Sequence, residues 1–476
     1  MTNKKAILKK LAGFTPSTSL RGFTIVELLV VIVVIGILAA ITIVSYTGIA
    51  QKATIATLQS DLSSASQQLK LHQTTNDTYP EAIDCGATPA ANTICLKSSG
   101  GNSFTYIPNN STNPPTFKLT EVSTSGIRYR VTDSTSPKAV VPGNLTALAT
   151  PTIATGTNPA GIVISTDGTS VYTANYISNN ISMFSRNTST GDLTALATPT
   201  IATGSRPDDV VISADGTSVY VTNRGANTIS MYSRNISTGV LTALATPTIA
   251  TGTNPYSVAI STDGTSVYVA NRDSNNISMF SRNTSTGALT ALATPTIAAG
   301  SQPYSVAIST DGTSVYVANY DSSNISMYSR NISTGVLTAL ATPTIAASWG
   351  VYRIVISLDG TSVYAIKYDS TSYIYMYSRN TSTGALTALS TPRIAADSWS
   401  NGIAISADGT SVYVANYGSN NISMFSRNTS TGALTVLATP TIAAGSQPYS
   451  VAISTDGTSV YVANYNTSNI SMYSRD

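Results

Sequence analysis

What most restricts this chain is a repeat. From Gly143 to Asp476 one unit recurs seven times. An Asp-Gly turn returns at Asp167, Asp215, Asp263, Asp311, Asp359, Asp408 and Asp456, with spacings of 48, 48, 48, 48, 49 and 48 residues. Each unit holds four strand-like runs, for example SVAIS (257–261), SVYVAN (266–271), NISMFSR (276–282) and ALTALATPTIA (288–298). Tight turns separate the first two runs and Ser-Thr-Gly the last two. The last type of run begins at Leu145, Leu193, Leu241, Leu289, Leu337, Leu386 and Leu434. Its first copy therefore precedes the first full unit, and the seventh unit reaches Asp476 without one.

Four strands in a repeat of about 40–50 residues mark a β-propeller. The offset of the fourth run predicts how the ring closes. The N-terminal copy at 145–148 supplies the outer strand of the last blade, which removes free edges that would invite aggregation. The expectation is seven blades over 143–476. The VYVAN run resembles the YVTN-type surface-layer propellers. Gly-Ala-Leu-Thr and VYVAN-x-x-Ser-Asn-Asn-Ile-Ser resemble the lactonase-type seven-bladed propellers. The resemblance covers 143–476 and implies the fold more strongly than an activity.

With strands A to D numbered from the channel outward, the A–B and C–D turns share the bottom face. There the copies are monotonous. Arg186, Arg234, Arg282, Arg330, Arg379, Arg427 and Arg475 reach the face that carries the turn aspartates, which predicts structural ion pairs within or between blades of about 0–1 kcal/mol each, ahead of the alternative, binding of an acidic partner. Tyr172, Tyr220, Tyr268, Tyr316, Tyr364, Tyr413 and Tyr461 read as blade packing. The B–C and D–A loops share the top face, where the copies differ. The B–C loops place Tyr176, Arg224, Arg272, Tyr320, Tyr368, Tyr417 and Tyr465 near the channel mouth, and the D–A loops supply Tyr256, Tyr304 and Tyr449. The loops ASWGVY and ADSWSN contain both tryptophans, Trp349 and Trp399, with Tyr352, Arg353, Lys367 and Asp397 near them in sequence. Flat rings beside charged groups suit recognition of sugars or protein surfaces. Repeat drift, with the tryptophans packed between loops, is the other reading.

The N-terminus carries a different signal. Residues 23–44, FTIVELLVVIVVIGILAAITIV, have only Thr24, Glu27 and Thr42 as polar side chains. A 22-residue helix spans a bilayer core of roughly 30 Å, and the basic stretch before it sends the rest outside. An ionisable residue inside such a helix is costly and marks function. Gly22-Phe23-Thr24-Ile25-Val26-Glu27 resembles the class III signal of type IV pilins and pseudopilins. The resemblance implies cleavage between Gly22 and Phe23 by a prepilin peptidase, N-methylation of Phe23, and pairing of Glu27 with a neighbouring subunit's amino terminus. The proline that the family often carries near Val44 is absent. Residues 1–22 are then a leader, 23–44 the membrane and assembly helix, 45–132 its continuation to about Leu71 with a small α+β head, and 133–142 a linker. Candidate head strands lie at 103–108, 117–123 and 126–132, and Cys85 and Cys95 are expected to form a disulfide in the oxidising compartment. The fold class is mainly β: a long N-terminal helix with a small pilin-like head, then the propeller.

Composition narrows the function. Charged residues make up 10% of the chain, far below the roughly 25% of ordinary soluble proteins. The +3 net charge comes from five bases in the leader, and the remainder is slightly acidic. No basic patch for nucleic acid is expected on the propeller. His72 and Glu27, Glu81 and Glu121 all precede residue 143, so the propeller offers no His, Glu or Cys for lactone hydrolysis. An Asp-only site using Asp209, Asp273, Asp321 or Asp369 is the remaining catalytic option. No cofactor or metal is expected. A propeller roughly 50 Å across is crowded on a shaft whose helices pack at about 8–10 Å. The favoured reading is a minor pilin-like subunit, made in the inner or cytoplasmic membrane and then exposed on a pilus or the cell surface. It would display the propeller for adhesion to a glycan or protein. Its partners would be other pilin subunits, the peptidase and the assembly machinery. A secretion or DNA-uptake pseudopilin and a surface lactonase are the alternatives.

Overall fold

The computed structural model describes residues 52–85, 92–110, 112–124, 128–140 and 142–476. Gly22, Phe23, Glu27 and the apolar stretch 23–44 lie outside them. The chain divides into two compact units, Met1–Val140 and Val141–Asp476.

In the first unit a helix over 52–76 turns Leu58, Leu62, Ala65 and Leu69 inward, a helical stripe of the kind that seeks a sheet. They pack on Phe117, Leu119, Tyr129 and Val131. The helix passes the expected end at Leu71 because Thr74 and Thr75 donate to the Leu71 carbonyl and Asn76 to that of His72. The sheet orders Ser103–Asn109, Thr116–Val122, Arg128–Thr132 and Lys138–Val140. Its fourth strand corrects the expected linker: Lys138–Val140 pairs with Arg128–Arg130, so the sheet extends into 133–142. Cys85 and Cys95 are disulfide-bonded.

The second unit is the propeller. Among the described residues it consists of seven four-stranded antiparallel sheets. Blade 1 runs Pro159–Ile164 (A), Ser170–Asn175 (B), Asn180–Arg186 (C) and Leu193–Ala202 (D). Blade 7 takes its strand D from Leu145–Ala154, paired with Asn469–Arg475, so the N-terminal strand closes the ring as the repeat phase predicts. Gly143 N–H donates to the Asp476 carbonyl and Asp476 N–H to that of Asn144, which fasten the seam. The single 49-residue spacing places its extra residue in the B–C loop of blade 5, between Ser362–Lys367 and Tyr373–Arg379. Strand D tolerates proline because it bulges. In blade 1, Ser182 pairs with Thr200 and Phe184 with Ala195, and Pro199 sits in the bulge.

The blades are held together by sandwiched cores and by a buried polar lock. Tyr172, Ala174 and Met183 of blade 1 pack on Val210, Val219 and Tyr232 of blade 2. On the bottom face the Arg234 guanidinium, its side chain fully buried, meets Asp167 of the preceding blade at 2.8 Å. It also donates to the Tyr172 hydroxyl at 2.9 Å, to Ser170 at 3.0 Å and to the Gly216 carbonyl. Tyr172 in turn donates to the Gly239 carbonyl of blade 2. The same contact recurs at every seam, including Arg186–Asp456 across the closure, 2.8 Å. Two expectations are sharpened here. The expected ion pairs form, between blades, but the arginines make them as buried donors, so each weighs more than an exposed pair: removing such a group strands its acceptors. The recurrent tyrosines are hydrogen-bonding links as well as packing.

Candidate functional site

The top-face end of the channel is a cup of about 420 Å³. Two rings of residues build it. The upper ring is the first B–C loop residue of each blade: Tyr176, Arg224, Arg272, Tyr320, Tyr368, Tyr417 and Tyr465. All seven line the cup, and the B–C hairpin positions them. At the end of strand B, Asn175 Nδ2 donates to Asn180 Oδ1 and Ser182 Oγ. This fixes the loop that follows and gives the Asn of VYVAN its role.

The lower ring differs from expectation. Tyr256, Tyr304 and Tyr449, expected in D–A loops, are second residues of strand A, as is Tyr352. All four are buried. Ala160, Asp208 and Asn401 hold the same register position in blades 1, 2 and 6. The tyrosines stack around the wall: Tyr256–Tyr304 centroids lie 4.4 Å apart, Tyr304–Tyr352 4.7 Å and Tyr352–Tyr368 5.0 Å. Burial pushes their hydroxyls up, Tyr368 to about 12, so they act as neutral donors and acceptors.

Charge enters the cup from Asp208 and Arg224 of blade 2 and Arg272 of blade 3. Asp208, 1% exposed, meets Arg224 at 3.2 Å and accepts from the Tyr449 hydroxyl at 3.3 Å. The Arg224 guanidinium also lies 3.7 Å from the Tyr256 ring centroid, a cation–π geometry. Arg353, expected near Trp349 as a candidate ligand-binding residue, lies on strand A with its side chain largely buried. It faces Asp208 and Asp209 of blade 2, each at 3.7 Å. Burial raises the Asp209 carboxyl above its ordinary value, against the opposing pull of Arg353. Asp208 Oδ2 and Asn401 Oδ1 are buried with no hydrogen-bond partner. Sequence reasoning missed Asp208 and Asn401. Aligning the copies on strand A would have exposed them, since blade 2 puts two acids where the others have mostly small or aromatic residues.

The tryptophans stand outside the cup. Trp349, 55% exposed, sits edge-to-face on Tyr320 at 5.2 Å. Trp399, 39% exposed, does the same on Tyr368 at 5.0 Å. Trp399 lines an adjoining groove of about 390 Å³ with Tyr417 and Gln447. The other top-face acids are not gathered into a cluster: Asp273 pairs with Arg272 at 3.2 Å and Asp369 with Lys367 at 2.7 Å. Among the described residues no group of three or more metal-ligating side chains converges.

Comparison with known proteins agrees with this architecture. The prokaryotic N-terminal methylation motif matches residues 19–43, which carries prepilin-peptidase processing, membrane anchoring and entry into pilus assembly. Among solved structures, a provisionally assigned 6-phosphogluconolactonase from Bacteroides fragilis NCTC 9343 superposes with a TM-score of 0.55 at 21% identity, covering 70% of this chain and 96% of its own. The periplasmic gluconolactonase PpgL of Pseudomonas aeruginosa gives 0.53 at 19% identity, covering 66% and 92%. Hydrazine synthase of Kuenenia stuttgartiensis gives 0.52 at 20%, covering 69% and 98%. At such identities the likeness is one of fold. No curated protein matches the chain. The lactonase seven-bladed β-propeller profile matches residues 142–300 and 357–476, more than half of the sequence, and the chain belongs to that family.

Proposed function

We propose that this protein is a minor type IV pilin-like subunit that displays its propeller as an adhesion module, binding a surface glycan or surface protein across the top face. The observation that carries the reading is the pair Trp349 and Trp399, two large exposed rings at the rim of a tyrosine-lined cup. Exposed aromatics of that size cost solubility and suit a ligand that covers them. The methylation motif supplies the route to the surface: cleavage after Gly22, a methylated Phe23, and Glu27 neutralised by a neighbouring subunit. The test applies the full-length protein and its Trp349→Ala/Trp399→Ala variant to cells and immobilised surface proteins. Saturable binding that the variant loses supports the reading. Equal binding by the two proteins, or none by either, overturns it.

A second reading, hydrolysis of a sugar lactone, is favoured by Asp208. Asp208 lines the cup and one of its carboxylate oxygens has no hydrogen-bond partner, the chemistry of a general base. Acid release from gluconolactone that disappears in Asp208→Asn would favour this reading over adhesion alone.

A further inference from the structure

The top face departs from its repeat at a second place, across the ring from Trp399. Every D–A loop turns on a residue with positive φ. In five blades it is Asn158, Asn254, Gln302, Gly350 or Gln447, but in blade 2 it is Arg206 and in blade 6 Trp399, both at φ 54°. Glycine and asparagine accept that conformation and a bulky residue does so at a cost, an outlier that invites a functional reading. Both bulky residues come with a compensating glycine at the second B–C loop position of their blade. There Gly225 and Gly418 replace the Ile, Asp or Asn of the other copies. A Cβ at 418 would collide with the Trp399 indole, and one at 225 would collide first with Ser205 Oγ at 2.6 Å and press on Arg206 Cδ at 3.3 Å, so in both blades the glycine lies against the D–A loop that carries the large side chain. Two blades, as far apart as a ring of seven allows, have each made room to lay one large side chain over a loop.

Three adjoining cavities lie between them and share walls. Arg206 lines a cavity of about 180 Å³ that shares Tyr176 and Arg224 with the cup. The Trp399 groove shares Tyr368 and Tyr417 with it. The result is one trough across the channel mouth, with chemically distinct ends. Arg224 is matched by Asp208 and Arg272 by Asp273, while Arg206 is exposed and its guanidinium has no acidic partner among the described residues. At the far end Lys367 is matched by Asp369, and Trp399 presents an apolar plate.

We infer that this trough takes an acidic oligosaccharide, one sugar ring lying on Trp399 and a carboxylate or sulfate meeting Arg206. The inference rests on the adhesion reading and names its ligand class. The trough's length asks for more than one sugar unit, and its single unmatched cation asks for an anion at one end.

The test uses three tetrasaccharides on one backbone (carboxylated, sulfated and carboxyl-reduced neutral) titrated into the full-length protein in detergent. At least one acidic form is expected to bind about tenfold more tightly than the neutral one. Arg206→Gln should abolish that preference, and Gly418→Ala, which dislodges the indole, should weaken all three. Equal binding of acidic and neutral forms, or a preference that survives Arg206→Gln, overturns the inference. Binding to cells that depends on the tryptophans, with no tetrasaccharide bound, overturns it while leaving the adhesion reading standing. Loss of both overturns both. Circular dichroism shows whether each variant is folded.

Discussion

The two faces of the propeller are made from the same seven units and have diverged in opposite directions. On the bottom face seven arginines bridge seven Asp-Gly turns with nearly superimposable contacts, 2.8–2.9 Å at every seam. On the top face the equivalent positions hold tyrosine or arginine in the upper ring, and alanine, aspartate, tyrosine or asparagine in the lower. The contrast follows from what each position must do. A bottom-face arginine serves two blades at once, so a change in one copy breaks a seam. A top-face side chain ends in open space or in the cup, so single copies can change without opening the ring. Variation between copies therefore marks where the scaffold leaves chemistry free.

The comparison can be broken most directly at a seam. Arg234→Met removes a fully buried guanidinium and leaves Asp167, Tyr172 and Ser170 without their shared donor. Because Asp167 remains about a third exposed, the full cost of a stranded buried charge does not apply. A loss of about 2–4 kcal/mol is expected, read as a lower midpoint in urea unfolding. A loss no larger than that from removing an exposed top-face ring would mean that the lock is decoration.

Acid should separate the faces in sequence. Burial alone would push the turn carboxyls up. Hydrogen bonds from Ser261, Thr265 and Arg330 nevertheless hold Asp263 down at about 2, with Asp311, Asp359 and Asp456 alike. A folded value below the unfolded one, about 3.9, gives stability that is present above that value and lost as pH falls towards 2. Asp209 runs the other way. Burial raises its carboxyl, so on acidification it takes up a proton while the bottom face is still charged, and Arg353 loses part of its counter-charge. Near-ultraviolet circular dichroism of the channel tyrosines is expected to change reversibly on acidification before the bottom-face carboxyls titrate, with the far-ultraviolet strand signal intact, and Asp209→Asn should lack that step. One concerted transition in both signals would show that the faces titrate together.

The repeat made most of the fold legible. SVYVAN and NISMFSR coincide with strands B and C because alternation and bounding turns agree, and the phase of LTAL gave the closure. Strand A was read too short at its start. Pro-Tyr-Ser looks like a turn, yet in the innermost strand one face lines a polar channel, so the usual apolar alternation is absent there. The same cause hid Asp208. In the first unit, Pro137 and Pro142 made a three-residue strand resemble a linker, and His72–Asn76 continue the helix through side-chain bonds to carbonyls that no hydrophobic stripe reports. Arg206 was overlooked because it repeats nothing; its meaning comes from Gly225, visible only once the loops are seen to stack.

The smallest stability effect is the one that sharpens the contrast most. Trp349 and Trp399 each touch one mouth tyrosine edge-to-face and leave much of the ring in solvent, so replacing both by alanine is expected to cost about 1 kcal/mol in total. A Gly418→Ala control, in which the new Cβ displaces the indole without deleting it, should cost a similar amount. Drift and binding predict different outcomes for urea unfolding of these variants. If the indoles pack the loops together, their removal should approach the cost of losing a seam arginine. If they are held out for a ligand, stability should barely move while ligand binding collapses. The exposed faces of both rings favour the second outcome: a side chain that contributes little to its own fold, yet has a glycine cleared beneath it in one blade, is placed for contact with something else.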